Sequence, residues 1–268
     1  MTPTQNKSTI ANGLGVSRST LYYKPKKPSS DWYVKTLIEQ VLRLYPSYGS
    51  RRIAIYLKLN RKRIKRIMNI YGIKPYRRSA KKWIKPKQSI TTYPNLLHLN
   101  PPLYKHHIWA SDFTYIKWQS KTIYLCTILD IYTRTIIGLN ILTNHTKDLI
   151  IGSFLSAIYS HPIPEIFHTD NGVEYDSHEF KSMLNNLGIS ISRSKKGCPW
   201  ENGYQESFYG KFKIDLGDPN RFNTLGELIF EIYKTIYTYN NTRIHTSLKM
   251  SPYEYTRSLD LNDHRNSV

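Results

Sequence analysis

Asp112, Asp170 and Glu206 are the residues of this chain whose types and spacing could do chemistry. The two aspartates are 58 positions apart, and 35 residues separate Asp170 from Glu206. Their local contexts differ: IWASDFTYI reads as a strand, IFHTDNGVEY as a strand end and ENGYQESFYGKFK as a helix. Three acids converging from a sheet and a helix could hold two divalent metal ions, which activate a hydroxyl and stabilise a leaving oxygen in phosphodiester chemistry. Taken singly, each acid has a plainer reading. Asp170, before Asn171-Gly172, could begin a turn, and Glu206 could be an ordinary helix acid. Asp112 is harder to dismiss, because a lone carboxylate in an apolar strand is costly unless paired or metal-bound. Asp130 and Glu174 compete as ligands, although the turn that follows Asp130 accounts for it. His168, two before Asp170, should point to the same side of its strand, either ordering the site or simply packed.

The elements that must position these acids are legible from periodicity. IWASDFTYIKW, TIYLCTILD and TIIGLNILT are β-branched and aromatic runs parted by turn residues, which makes an antiparallel meander. KDLIIGSFLSAIYS follows as a helix, EIFHTD as a strand, HEFKSMLNNLG as a helix ended by Gly188, and ISISR as a strand. The next helix starts near Pro199–Glu201, where Pro and an acid suit a first turn. The order βββαβαβα predicts an α/β fold of the ribonuclease-H-like kind, a mixed sheet with helices on both faces. On the last of these helices Asn202, Glu206 and Lys213 are four and seven apart and share a face. Glu206 then closes the metal site while Asn202 and Lys213 face DNA. The loop 194–200, with Lys195, Lys196 and Gly197, is expected to order on DNA, and Trp200 either stacks on a displaced base or anchors the core.

The charge distribution points to the same substrate. The formal net charge is +20, and residues 1–100 hold 22 Lys and Arg against 2 Asp and Glu, so the whole excess lies there. A basic part beside a near-neutral part implies a polyanion-gripping module joined to a working module. Residues 8–22 fit the second half of a helix-turn-helix, with Ser17 or Ser19 capping and Arg18 facing phosphate or base. DWYVKTLIEQVLRL predicts a packing helix. Arg51 and Arg52 open another, with Ser50 as its cap. In LNRKRIKRIMNIYGI an apolar stripe of Ile64, Ile67, Met68 and Tyr71 opposes Arg61, Lys62, Arg63, Lys65 and Arg66, a face suited to a groove or phosphate track. The boundaries expected are a partial helix-turn-helix end at 1–30, a basic all-α helix-turn-helix-like region at 31–80, a basic extended linker at 81–103, the catalytic core with its C-terminal helix at 104–257, and a tail at 258–268.

Other classes are disfavoured. No apolar run reaches 18 residues, and MTPTQNKSTI lacks the apolar stretch of a secretory signal. Cys126 and Cys198 form no CxxC pair, no cysteine precedes position 126, and a Cys/His zinc module in the basic part is excluded. His106 and His107 read as linker or DNA-proximal residues. A reduced, cytoplasmic setting with no membrane partner is the expectation.

The segments WASDFTYI, HTDNGVEY, KKGCPWENGYQESFYGKFK and YNNTRIHTSLKMSPYEY together resemble the OrfB-type transposases of bacterial insertion sequences, whose core is of the retroviral integrase type. The resemblance covers nearly the whole chain, including the DD(35)E spacing and Lys213 seven residues after Glu206. It implies that Asp112, Asp170 and Glu206 bind magnesium or manganese, two ions per site, and carry out strand cleavage at element ends and strand transfer. It also implies a homo-multimer, a nucleoid-associated location, and a helix-turn-helix and leucine zipper supplied by an upstream frame, as partner or fusion. Three features depart from the family pattern: Cys198, where another small polar residue is usual, Ile244, which replaces the Pro of an Arg-Pro-His segment, and the turn between the basic helices, Leu59-Asn60, which reads as shorter than usual. A non-catalytic DNA-binding protein and a nuclease of the same fold are the alternative readings.

Overall fold

The structure is a computed structural model that describes residues 6–22, 28–77, 93–195 and 198–266. Strands β1 (Ile108–Trp118), β2 (Lys121–Asp130) and β3 (Ile136–Leu142) form the antiparallel meander, and β4 (Ile166–Thr169) and β5 (Ser190–Arg193) add in parallel, giving the order β3-β2-β1-β4-β5. Helices α5 (Lys147–Ile158) and α6 (His178–Asn186) cover one face. Helices α7 (Gly203–Leu216) and α8 (Leu225–Asn241) cover the other. This is the ribonuclease-H-like arrangement. Covering both faces explains why Ile108, Trp109, Ala110 and Ser111 are all buried, without the alternation of a half-exposed strand. Beyond residue 113 alternation returns: Thr114, Ile116 and Trp118 are buried, Tyr115 and Lys117 exposed. Helix α5 lies so close to β3 that a Cβ on Gly138 would stand 2.5 Å from the Ser153 carbonyl oxygen, so only glycine fits there.

The basic part is helical. Helix α1 (Lys7–Gly13) is followed by a single 3-10 turn at Arg18–Tyr22, where the sequence predicted the last helix of a helix-turn-helix. Helix α2 (Pro28–Leu44) packs against α3 (Ser50–Tyr56) and α4 (Arg61–Ile70) around Ile38, Tyr48, Ile53, Ile64 and Ile67. Four residues, Leu57 to Asn60, join α3 to α4, a turn length typical of helix-turn-helix units. Asn60 caps α4 by accepting the Lys62 N–H at 2.8 Å, whereas Ser50 lies inside the first turn of α3.

Three further expectations meet a different structure. Of the predicted extended linker, residues 93–103 are described, and Leu96–His98 form a 3-10 turn against the sheet: Arg193 N–H donates to the Pro94 carbonyl at 3.1 Å, and Ser192 Oγ accepts the Leu96 N–H at 2.9 Å. His106 and His107 pack at the start of β1. His106 Nδ1 accepts the Trp109 indole N–H at 3.3 Å, and His107 Nδ1 accepts the Leu103 N–H at 3.3 Å. At the C-terminal end, α9 (Pro252–Asn266) runs straight across residue 257, where the sequence placed the end of the core.

The segment Arg243–His245 ties the two parts together. Ile244 is buried among the α2–α4 side chains, and its N–H donates to Tyr48 Oη at 2.6 Å. Proline has no N–H to offer, so the departure at Ile244 supplies a bond that the usual residue cannot. Arg243 bridges Asp215 of α7 and Ser47, at 2.5 Å each.

Candidate active site

Strand register places the two aspartates. In the parallel pair β1–β4, Ile108 stands beside Ile166, Trp109 beside Phe167 and Ala110 beside His168, a constant offset of 58. Continued two residues, the same offset sets Asp112 level with Asp170, and neighbouring strands lie roughly 4.8 Å apart. The 58-residue spacing is thus the register itself. Strand β4 ends at Thr169, so both carboxylates stand at the point where the sheet opens.

The two acids are held by short local bonds. Asp112 Oδ1 accepts the Phe113 N–H at 2.8 Å, and Asp170 Oδ1 accepts the Gly172 N–H at 3.0 Å. Burial, then the nearby Asp170 carboxylate and, less strongly, Glu206, push the Asp112 carboxyl up to about 7; the Phe113 N–H and Lys213 oppose this. Asp170 is also pushed up, by burial first and by Glu174. Burial is the larger cause of both directions, and a neighbouring carboxylate adds to it, Asp170 for Asp112 and Glu174 for Asp170. The loop after Asp170 is clamped by buried Arg193, which donates to the Tyr175 carbonyl at 2.9 Å and to Asp176 at 2.9 Å. Tyr175 Oη lies 2.9 Å from Ser111 Oγ, one residue before Asp112.

Glu206 arrives on α7, whose sheet-facing stripe is Gln205, Phe208, Tyr209, Phe212 and Leu216. Gln205 is fully buried. Its amide donates to the Ala110 carbonyl at 2.6 Å and the Thr127 carbonyl at 3.0 Å, and its oxygen accepts the Thr127 hydroxyl at 3.2 Å. Tyr209 Oη donates to the Asp112 carbonyl at 2.6 Å. These two side chains pin α7 onto β1 and leave Glu206, between them in sequence, on the exposed face. Glu206 is within electrostatic reach of Asp112, yet among the described residues no three His, Cys, Asp or Glu side chains gather closely enough to hold a metal. The register therefore brings two of the three predicted acids side by side, and the third stands off on the adjoining helix.

The remaining predicted residues are spread. Lys213 is half-buried on α7, 4.9 Å over the Tyr115 ring, and with Tyr76, Tyr115, Ile116 and Lys117 it lines a cleft of about 640 Å³. Asn202 does not share that face. It closes a 3-10 turn at Pro199–Asn202, is buried, and donates to the Ser111 carbonyl at 3.4 Å. The helix proper starts only at Gly203, so the helical spacing used to group Asn202 with Glu206 and Lys213 does not apply to it. Lys195 is exposed, with its backbone N–H bound to Glu201 at 2.7 Å; Lys196 and Gly197 lie outside the described residues. Trp200 is half exposed.

In the basic part, Arg51, Arg52, Arg61 and Arg77 line one wall of a cleft of about 700 Å³, and Glu206, Gly210 and Lys211 line the other. Arg63 and Arg66 point elsewhere: Arg63 donates to Ser30 Oγ at 2.5 Å and Arg66 pairs with Asp31 at 2.7 Å, which fastens α4 to α2. Arg18 sits beside Tyr22 and holds its hydroxyl below the usual phenol range.

Of the competing acids, Asp130 is fully buried and accepts the His106 N–H, the Tyr132 N–H and the Thr133 hydroxyl, which close its turn. Glu174 lies beside Asp170 and pairs with His145 at 3.0 Å. His168 is a packed core residue, 2.9 Å from Ser192 Oγ, and burial pulls it down to about 4. Gln205, Tyr209 and Arg193 were not singled out in the sequence. The one available signal was Gln205 standing in an otherwise apolar stripe at helical spacing.

Comparison with known proteins agrees with this architecture. The integrase core domain family matches residues 104–199, and a second integrase core domain model matches residues 187–252. A transposase for insertion sequence element IS904 of Lactococcus lactis is 33% identical over 213 residues, covering 75% of this chain and 83% of that protein. The putative transposase InsK of element IS150 of Escherichia coli is 25% identical, covering 90% and 89%. Among solved structures, the simian T-cell lymphotropic virus intasome in complex with a PP2A regulatory subunit aligns with a TM-score of 0.53 at 19% identity, covering 78% of this chain and 70% of that one. With the sheet order of an integrase core, the matched family segments and a relative aligned over most of its length, the chain belongs to the insertion-sequence transposases with an integrase core domain.

Proposed function

We propose that this transposase cleaves one DNA strand at each end of an insertion element and joins the freed 3′-hydroxyl to a second phosphodiester, with Asp112, Asp170 and Glu206 as its catalytic carboxylates. The observation that carries this reading is the level placement of Asp112 and Asp170 at the opening of the sheet, with the Asp112 carboxyl driven up to about 7 by its setting. Two crowded carboxylates form an all-oxygen donor set, which suits magnesium or manganese; magnesium is commonly held by one or two carboxylates and keeps several waters. When bound there, a pair of divalent ions would polarise the attacking hydroxyl and offset charge on the leaving oxygen. The chain's own part is positioning. Gln205 and Tyr209 fix α7, Arg193 fixes the loop after Asp170, and Glu206 turns inward from the exposed face to complete the donor set.

DNA enters this account as the substrate. The cleft walled by Arg51, Arg52, Arg61 and Arg77 opens onto Glu206, so a strand gripped there is led to the acids. Arg61→Glu combined with Arg51→Glu is expected to weaken DNA binding and to flatten its salt dependence by roughly two phosphate contacts. Filter binding across a salt series checks this; an unchanged slope removes the cleft from the DNA path. Bringing two element ends together calls for a multimer, and an upstream-frame partner supplying further DNA recognition fits the same task. The substrate would place the protein with the bacterial nucleoid. No helix among the described residues is long and apolar enough to cross a membrane.

The setting of Asp112 also fixes a pH dependence. Its folded-state value of about 7 lies above the ordinary 3.8, so between those values the unfolded chain holds fewer protons than the folded one. The stability of the metal-free protein therefore falls as pH rises through that window and levels off above about 7. Metal binding needs the ionised form, so magnesium affinity rises across the same window. Calorimetric titration with magnesium from pH 5 to 8 reads this directly; affinity that is flat across the range contradicts it.

The function itself is tested by mixing the purified chain, magnesium and DNA carrying candidate element ends. Joined products are expected. Cutting without joining would make the protein a nuclease, and binding without either would make it a DNA-binding relic.

A further inference from the structure

A second cavity, of about 380 Å³, contains none of the three acids and is lined by Arg134, Tyr204, Ser207, Lys211, His245 and Ser247 among others. Its lining is cationic and short of partners. Arg134 enters from the turn between β2 and β3, in the left-handed region at φ 66°, and its guanidinium lies 4.1 Å over the Tyr204 ring. Nε and Nη1 of Arg134 are buried with no hydrogen-bond partner, and so is Nδ1 of His245. Lys211 reaches Ser207 Oγ at 2.5 Å. Asp215, the carboxylate set among these cations, is already bound by Arg243. The crowding shows in the protonation equilibria. Burial first, then Arg243 and Arg52, draw Lys211 down to about 8; burial first, then Lys211 and Arg134, draw His245 down to about 4.

Buried guanidinium N–H groups without acceptors are costly, and an anion is the group that satisfies them. We propose that this cavity binds a phosphate group, with Arg134, Lys211 and His245 donating to its oxygens and the Ser207 and Ser247 hydroxyls completing the shell. Phosphate suits the donor set because its oxygens accept charge-assisted bonds from several directions at once. It also favours the charged forms of Lys211 and His245 that the empty cavity suppresses. Two sources carry this chemistry: a backbone phosphate of DNA, or a free phosphate monoester. The cavity shares Ser207 and Lys211 with the arginine-walled cleft at Glu206, so a strand lying in that cleft would reach it.

The test uses the full chain. Phosphate at constant pH and ionic strength is expected to raise the melting temperature relative to chloride. Arg134→Gln should weaken the phosphate effect about tenfold or more. Ser247→Asp, an exposed position at the cavity mouth, puts a carboxylate among the cations; it should raise the melting temperature without phosphate and remove the response to it. No phosphate-specific shift in the wild type overturns the proposal, as does a Ser247→Asp chain that melts lower and still responds to phosphate. The source is read with oligonucleotides whose phosphates are replaced one at a time by neutral methylphosphonate. Loss of affinity at one position in the wild type, absent in Arg134→Gln, assigns the DNA backbone; no such coupling assigns the free anion. Only this last arm rests on the DNA reading, because binding of inorganic phosphate is independent of the role of the three acids.

Discussion

Asp112→Asn is expected to lower strand cleavage and strand transfer by about a thousandfold or more, the loss of roughly 4 kcal/mol of transition-state stabilisation, while DNA affinity stays within about twofold. Asparagine keeps the shape of the side chain and the bond from the Phe113 N–H, and removes the charge that a divalent ion requires. The same change should make the metal-free protein more stable above about pH 7. There the wild type holds an ionised carboxylate beside Asp170 in a buried setting, and the variant does not. Loss of chemistry together with a higher melting temperature at pH 8 separates a catalytic role from a structural one. A variant that is inactive because it melts lower would refute this reading of Asp112, and so would one that retains full activity.

The second large effect concerns a residue that touches no reacting group. Gln205→Leu fits the apolar stripe of α7 by size, yet it removes the amide that donates to the Ala110 and Thr127 carbonyls, and it leaves the Thr127 hydroxyl with Tyr209 Oη alone, at 2.9 Å. Leaving buried polar groups unpaired costs about 2–4 kcal/mol here. Because Glu206 is the next residue, a shifted α7 also displaces the third carboxylate, and misplacement by about 1 Å can cost on the order of a hundredfold in rate. Urea unfolding should show the stability loss. Strand transfer measured well below the unfolding midpoint should show the rate loss, while Gln205→Glu, which can still accept from Thr127, should restore less than half of the stability because it cannot donate to the two carbonyls. Wild-type stability in Gln205→Leu would remove the pin from the account.

Much of this was written in local pattern. The strand runs, the helices between them and the turn residues fixed the order βββαβαβα, because those signals depend on neighbours in sequence. The 58-residue spacing of the aspartates was legible as a number, and it became geometry only when β4 was seen to pair with β1 at that offset. Asn202 shows where local pattern fails. Spacing placed it with Glu206 and Lys213 as though one helix carried all three, but a 3-10 turn holds it and its side chain turns inward to the Ser111 carbonyl. Arg63 and Arg66 show what local pattern leaves out. Cation density marked the α4 surface correctly as basic, yet it could not reveal that Ser30 and Asp31, a helix away, lie under those two side chains. The phosphate cavity had no sequence signal at all. Arg134 comes from a strand turn, Lys211 from α7 and His245 from the segment after α8, and only the packed fold sets them around one space.

The central claim is that Asp112, Asp170 and Glu206 gather around divalent metal. Electron paramagnetic resonance of bound manganese, titrated into the full chain with DNA present, measures it most directly. Two bound ions per chain are expected in the wild type at pH 8, falling to one or none in each of Asp112→Asn, Asp170→Asn and Glu206→Gln. Manganese that binds equally well to all three variants would contradict the account.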